Sequence, residues 1–188
     1  MPRILALDAM GVLYKSGDDV GELLEPFVRE HGGEVDKVAA AYHAASLGEI
    51  SADAFWAQVG LSPELEDDYL SLHELGSGVQ PALAAAKELF GGVCCLSNDV
   101  SRWSLKLRRR FELETHITGW FISGEMWMRK PDPRIYQQMI DGLGVTAQAI
   151  SFVDDREKNV AAAQAAGLNA VVFEPGTDDL EQVVRTLG

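Results

Sequence analysis

At 188 residues the chain can bury one sizeable α/β core with a small inserted subdomain, but not two large domains. Hydrophobic residues at 47% and charged residues at 24% exclude a disordered or fibrous chain. A formal net charge of −13 argues against a nucleic-acid partner, whose phosphate backbone demands a basic footprint.

The first element is Ile4-Leu5-Ala6-Leu7, a continuous apolar run ending in Asp8, which reads as a buried strand with Asp8 at its C-terminal end. Residues 17–78 follow with a different pattern. Four short helices are predicted over Gly21–His31, Asp36–Ser46, Ser51–Val59 and Pro63–Leu75, separated by Gly, Ser and Pro. This segment holds 14 Asp and Glu against only Arg29 and Lys37, so nearly all of the excess acidity lies here. Such a charge is expected to set a negative potential over any neighbouring site and to disfavour highly charged anions.

Strand and helix then alternate. Strands are predicted at Val93–Leu96, Trp120–Ile122, Ala149–Val153 and Ala170–Phe173. Helices are predicted at Pro81–Phe90, Val100–Arg110, Pro133–Leu143 and Glu157–Ala166, the last stopped by Gly167. That alternation implies a Rossmann-like, doubly wound parallel sheet with helices on both faces and an inserted helical cap subdomain. The expected division is a core of residues 1–16 and 79–188 with a cap of residues 17–78. Three apolar strands end in polar residues, at Asp8, at Ser97-Asn98-Asp99 and at Asp154-Asp155, and strand C-termini are where open α/β sheets bind ligands.

Adjacent Cys94 and Cys95 cannot form an ordinary disulfide and read as buried small hydrophobes. No apolar run approaches the roughly 20 residues of a membrane span, and the first residues reach a carboxylate too soon for a signal peptide; a cytoplasmic location without membrane association is expected. His31, His43, His73 and His116 lack metal-ligand spacing and read as surface or packing residues. Arg108-Arg109-Arg110 closes a helix, where basic residues suit the macrodipole. Trp56 and Tyr69 read as packing among the small helices.

Four features stand in order along the chain: Asp8-Ala9-Met10-Gly11-Val12-Leu13 after the first strand, Ser97-Asn98 after the second, Lys130-Pro131-Asp132-Pro133 before a helix, and Asp154-Asp155 with Asn159 after a later strand. In order and context they resemble the four motifs of the haloacid dehalogenase superfamily, and residues 17–78 resemble its small helical C1-type cap. The resemblance spans essentially the whole chain and is strongest for a phosphatase-type member. It implies a Mg²⁺-dependent hydrolase of a small phosphate monoester, with Asp8 as the nucleophile that forms an aspartyl-phosphate. Asp8, the Met10 backbone carbonyl, Asp154 and Asp155 would hold the metal, Asp154 directly and Asp155 through water. Ser97 and Asn98 would hold a phosphoryl oxygen, Lys130 would neutralise Asp8 and the phosphoryl group together, and Asn159 would orient the aspartate loop. Asp-Asp also occurs at 18, 67 and 178, but only the pair at 154 follows a buried apolar strand; the others read as solvated turns or helix starts.

One position departs from the pattern. Phosphatase members carry a second Asp two residues after the nucleophile as general acid and base, and here that residue is Met10, which cannot transfer a proton. Tyr14, Asp18, His43 or the substrate itself could supply the proton. Two alternatives follow from the same position: a metal-independent 2-haloacid dehalogenase, whose halide leaves unprotonated, and a non-catalytic phosphate-ligand binding protein. The intact Asp154-Asp155 pair favours the phosphatase over the dehalogenase, which lacks paired acids there.

Overall fold

The computed structural model describes residues 2–188. Five strands, β1 (Ile4–Leu7), β2 (Gly92–Ser97), β3 (Gly119–Ile122), β4 (Ile150–Asp154) and β5 (Asn169–Val172), form one parallel sheet in the order β3-β2-β1-β4-β5. The helices are α1 (Glu25–Glu30), α2 (Val38–Ser46), α3 (Ala52–Gln58), α4 (Glu66–Ser71), α5 (Val79–Leu89), α6 (Ser101–Arg110), α7 (Ser123–Met126), α8 (Pro133–Leu143), α9 (Glu157–Ala165) and α10 (Leu180–Leu187).

Burial on both faces explains the unbroken apolar strands. Ile4, Ala6, Cys94, Leu96 and Phe152 pack with residues of α8 and α9, whereas Leu5, Leu7, Cys95 and Val153 pack with residues of α5, α6 and α10. Cys94 and Cys95 therefore face opposite layers, and both are free and buried. The chain moves outward from β1 through β2 to β3, then crosses to β4 on the other side of β1. The strand order reverses between β1 and β4, whose C-terminal ends carry Asp8 and Asp154.

Helices α1 to α4 lie between β1 and β2. The chain leaves and returns along one narrow ribbon, where Lys15 N donates to Glu74 O at 3.0 Å and Gly76 N to Leu13 O at 2.8 Å. Ser51 caps α3 by accepting from Ala54 N at 3.1 Å, and Val20–Leu24 forms a π turn leading into α1. These short helices would be marginal alone. Their stability comes from an aromatic seam with α6: the Trp103 ring lies 5.7 Å from Trp56, 5.1 Å from Tyr69 and 5.0 Å from Phe55, all four fully buried.

Polar contacts close the same seam. Glu66 accepts from the indole N–H of Trp56 at 3.2 Å and of Trp103 at 2.7 Å, and pairs with Arg102 at 2.6 Å and Lys106 at 2.8 Å. Arg110 donates to the carbonyls of Leu70 and Ser71 at 2.6 and 3.0 Å. The basic end of α6 thus does more than complement its own helix dipole: Arg110 holds the exposed C-terminal carbonyls of α4.

Two helices were not anticipated. The four-residue α7 is too short to show a period, and α10 follows a Gly-Thr-Asp-Asp turn in which Asp179 caps Gln182 N at 3.2 Å. Helix α5 begins at Val79, two residues before the predicted start, because Pro81 is tolerated in a first turn.

Candidate active site

The C-terminal ends of β1 and β4 bring together charges far apart in sequence. Lys130, 4% exposed, places Nζ 2.8 Å from Asp8 Oδ1 and 2.7 Å from Asp154 Oδ2, and also donates to Leu96 O at 2.7 Å. Burial pushes the Asp8 carboxyl well above its ordinary value, Asp154 adds to that, and Lys130 opposes it. Burial alone would depress the Lys130 ammonium, but Asp154 and Asp8 outweigh it and hold it above the usual lysine range. Asp154 moves the other way: despite burial, Lys130, the Arg156 N–H and Asn159 stabilise its charge and lower its pKa.

Both Asp154 oxygens are taken by protein donors. Asn159 Nδ2 reaches Oδ1 at 2.9 Å and Oδ2 at 3.0 Å, and Arg156 N donates to Oδ1 at 2.9 Å. Asn159 is itself fixed from behind, its carbonyl accepting from Tyr136 OH at 2.9 Å. Asp155 is the opposite case. Its Oδ1 is buried without a partner, and burial followed by Asp154 raises its pKa. Its carboxylate lies over Gly11, where an added Cβ would stand 2.5 Å from Asp155 Oδ2; with φ at 78°, only glycine is unstrained there.

Oxygens of Asp8, Asp154 and Asp155 can lie within 4.8 Å of one another. Three carboxylates face one ammonium in a buried space, one of them with an orphaned oxygen. This hard-oxygen set fits a Mg²⁺ ion, which binds through one or two carboxylates together with substrate oxygens.

Ser97 ends β2 with its hydroxyl buried and unpartnered. Asn98 is differently employed: its Nδ2 donates to Lys130 O at 2.9 Å and its Oδ1 accepts from Lys130 N at 2.8 Å. One amide N–H and the amide oxygen of Asn98 thus fix the Lys130 backbone, while the residue also lines the cleft and retains a second N–H. Met10 is 8% exposed and lines the cleft beside Asp8.

That cleft, about 520 Å³, is lined by residues from the segment after β1, the end of β2, the inserted segment, the loop before α8 and the start of α9. Of the proton donors considered from the sequence, Asp18 and His43 line it; Tyr14 is buried against Phe111 and His73 instead. Asp19 also lines it and was missed, because the doublet at 18 reads as a solvated turn. It is only 4% exposed, accepting from Tyr69 OH at 2.7 Å and lying 2.9 Å from His73 Nε2. No local signal marks it, since its partners are 50 or more residues away.

Part of the acidity expected to bear on the entrance is paired away from the cleft. Asp53, Glu66 and Asp67 are spent on Arg102 and Lys106 at the seam, and Glu34 and Glu74 pair with Lys37 and Lys15. The cleft itself carries Arg129, Lys130, Arg156 and Lys158 together with Asp8, Asp18, Asp19 and Asp132.

Comparison with known proteins agrees with this architecture. The family model for haloacid dehalogenase-like hydrolases matches residues 2–167. Flavin mononucleotide hydrolase 1 of Arabidopsis thaliana is 31% identical over 86 residues, 46% of this chain and 35% of that protein. Phosphatase MT3486 of Mycobacterium tuberculosis is 28% identical over 121 residues, 64% of this chain and 56% of that protein. The matches thus span about a third and about half of these relatives' own lengths. Among solved structures, an enzyme of Bacteroides thetaiotaomicron in complex with magnesium and inorganic phosphate superposes with a TM-score of 0.78 at 21% identity, covering 94% of this chain and 96% of that one. Dehalogenases share the fold as well. At such identities the superpositions establish the fold alone.

Proposed function

We propose that this chain, which belongs to the haloacid dehalogenase-like hydrolase family, hydrolyses small phosphate monoesters through Asp8 in a Mg²⁺-dependent reaction. The observation that carries the reading is Asp155, a third carboxylate at the site with a buried oxygen that no protein group satisfies. A metal-free dehalogenase has no use for it.

In this reading residues 17–78 form the cap over the cleft. Asp8, Asp155 and the Met10 carbonyl would hold the metal, and Asp154, saturated by Lys130, Asn159 and Arg156 N, positions Lys130. This reverses the order expected from the sequence, which made Asp154 the direct ligand. Bound Mg²⁺ would screen the Asp8 carboxylate from the phosphoryl group and stabilise charge on its oxygens.

The chain's own groups do the rest. The Asp8 oxygen not held by Lys130 attacks phosphorus, the bond to the ester oxygen breaks, and an aspartyl-phosphate forms; water then attacks phosphorus, releasing phosphate and regenerating Asp8. Lys130 fixes the nucleophile and offsets the charge gathered around it. Ser97 Oγ donates to a non-bridging phosphoryl oxygen. Asn98 serves by holding Lys130. The leaving oxygen receives its proton from Asp18, His43, solvent or the substrate, because Met10 cannot give one.

The test follows hydrolysis of p-nitrophenyl phosphate and melting temperature while Mg²⁺ is titrated into metal-free protein. Turnover should require the metal, vanish in Asp8→Asn, and respond to Mg²⁺ more weakly in Asp155→Asn than in Asp154→Asn. Metal-independent turnover of a 2-haloacid with none of the phosphate would establish the dehalogenase instead.

A further inference from the structure

We infer that the substrate's leaving group carries a second anion, a carboxylate or a second phosphate, gripped between Arg129 and Arg156 at the mouth of the cleft. This rests on the phosphohydrolase reading and names its substrate class.

The chain has 29 Asp and Glu for 16 Lys and Arg, so its cations have carboxylates in excess to pair with. Nine of the sixteen do so within 4.0 Å. Arg129, Arg156 and Lys158 have no such partner among the described residues, and all three line the same cleft as Asp8. Arg129 is the most telling. Its guanidinium lies over the Tyr42 ring at 5.6 Å and touches the Ser46 hydroxyl, in a half-buried position where an uncompensated charge is costly. Burial lowers its pKa and the like charge of Arg156 adds to the lowering, while Tyr42 and Asp99 offset only part of it, so the two guanidinium groups repel each other. An anion seated between them would relieve both the burial and the repulsion.

The helix beginning at Glu157 supplies a second, independent argument. Arg156 is the N-cap of α9 and Lys158 lies in its first turn, the end where the macrodipole disfavours cations. Helix stability does not account for them there. Together with the N-terminal end of α9 they make a positive lip. Most acidic residues of the cleft are engaged elsewhere: Asp8 is held by Lys130, Asp19 is turned to Tyr69 and His73, and Asp132 is bound by Arg134 at 2.6 Å, which leaves the exposed Asp18 against Arg129, Arg156 and Lys158. Among the described residues the Arg156 guanidinium donates only to Gly17 O, at 3.0 Å, which leaves most of its fork free. A planar fork of this kind suits the oxygens of a carboxylate or phosphate. The cleft volume, about 520 Å³, suits a small metabolite.

The experiment compares kcat/KM within matched pairs. The first pair is 3-phosphoglycerate against glycerol 1-phosphate, which differ by a carboxylate in place of a hydroxymethyl group. The second is a hexose bisphosphate against the corresponding monophosphate, which reports on a second phosphate. The anionic member of at least one pair should be favoured about tenfold or more, as expected for a charge-assisted hydrogen-bonded contact, and the favoured pair identifies the anion. Arg129→Met and Arg156→Met should each cut that ratio about tenfold, and rising salt should shrink it. p-Nitrophenyl phosphate serves as the reference for Asp8 chemistry. Ratios near or below one in a protein that hydrolyses the reference overturn this inference and leave the phosphohydrolase reading standing. Failure to hydrolyse any ester removes that reading. In that case equilibrium binding of 3-phosphoglycerate and glycerol 1-phosphate to the Asp8→Asn protein still decides the present one: tighter binding of the carboxylate supports it, and equal binding overturns it.

Discussion

Replacing Lys130 by Met separates its electrostatic role from its bulk. The substitution removes Nζ contacts at 2.7–2.8 Å to Asp8, Asp154 and Leu96 O from a side chain that is 1% exposed, while roughly preserving its volume. Asp154 keeps Asn159 and Arg156 N as donors, but Asp8 keeps only its neighbour Ala9 N at 2.7 Å. Breaking a buried ion pair by deleting one partner costs about 3–5 kcal/mol. For a chain of this size that corresponds to a fall in Tm of about 6–20 °C, at roughly 2–4 °C per kcal/mol. The loss should depend on pH with a definite sign. With Lys130 present the Asp8 carboxyl is already pushed up to about 8, and without it the pKa rises further, so the variant's folded state holds a proton that the wild type loses above that value; destabilisation should therefore shrink as pH falls from about 9.5 towards about 7. Asp8→Asn in the Lys130→Met background should recover much of the stability, since one of the two crowded carboxylates is then gone. Calorimetry or urea melts of the four proteins at about pH 7 and about pH 9.5, all without metal, test this. A loss below about 1 kcal/mol, equal at both pH values and unaffected by Asp8→Asn, would refute the charge-neutralising role assigned to Lys130.

Met10→Asp places a carboxylate where related phosphatases keep their general acid and base, so alkyl phosphate turnover should rise about tenfold or more; a folded, Mg²⁺-binding variant with no gain would show that proton transfer to the leaving group is not limiting. Glu66→Ala removes the acceptor shared by two buried indoles, Arg102 and Lys106, and should lower stability by about 3–5 kcal/mol in urea melts; a change within about 0.5 kcal/mol would mean that the aromatic rings alone hold the seam. Asp99 is 1% exposed with an unpartnered Oδ2, and burial followed by Asp19 raises its pKa well above the usual carboxylate range. Its contribution to stability is full below the unfolded carboxylate pKa and is lost as pH rises through the folded one. Melting temperature should therefore fall from pH 5 to pH 8 more steeply in the wild type than in Asp99→Asn, and parallel curves would contradict this.

The sheet was legible because two-sided burial leaves no polar alternation in a strand, and the runs ending in Asp8 and Asp154 could be read for type and order before any contact was known. The inserted helices were legible from their Gly, Ser and Pro boundaries. What could not be read were properties that depend on distant partners. Asp18 and Asp19 are the same residue type in one turn, yet only Asp19 is buried, because Tyr69 and His73 return to it from the end of the insertion. Asn98 reads as a ligand-binding amide, and nothing near it in sequence shows that the Lys130 backbone takes one of its N–H groups and its oxygen. The order of the aspartate pair lay closer to reach: Asp154 is still part of β4 and Asp155 is the residue after it, so their side chains diverge as successive strand positions do. Strand alternation therefore separates the pair into one member for Lys130 and one without a protein partner, although which is which required the position of Lys130.

Segment charge is an incomplete guide to the cleft for a related reason. The acidity of residues 17–78 is a sum over side chains, whereas the potential in the cleft depends on which of them face it unpaired. The cations of α6 lie against the insertion: Arg102 and Lys106 take up Glu66, Asp53 and Asp67, and Arg110 takes the α4 carbonyls. A second set, Arg129, Arg156 and Lys158, lies on the cleft with no carboxylate assigned to it. The core therefore presents positive charge in two directions while its own net charge stays near zero. One direction binds the acidic insertion to the core, and the other is open to an anionic substrate. Under the proposed phosphohydrolase reading this division matters for an anionic substrate: the insertion carboxylates that pack against α6 are neutralised there, and those left in solvent act across water, where their field is screened within about 8–10 Å.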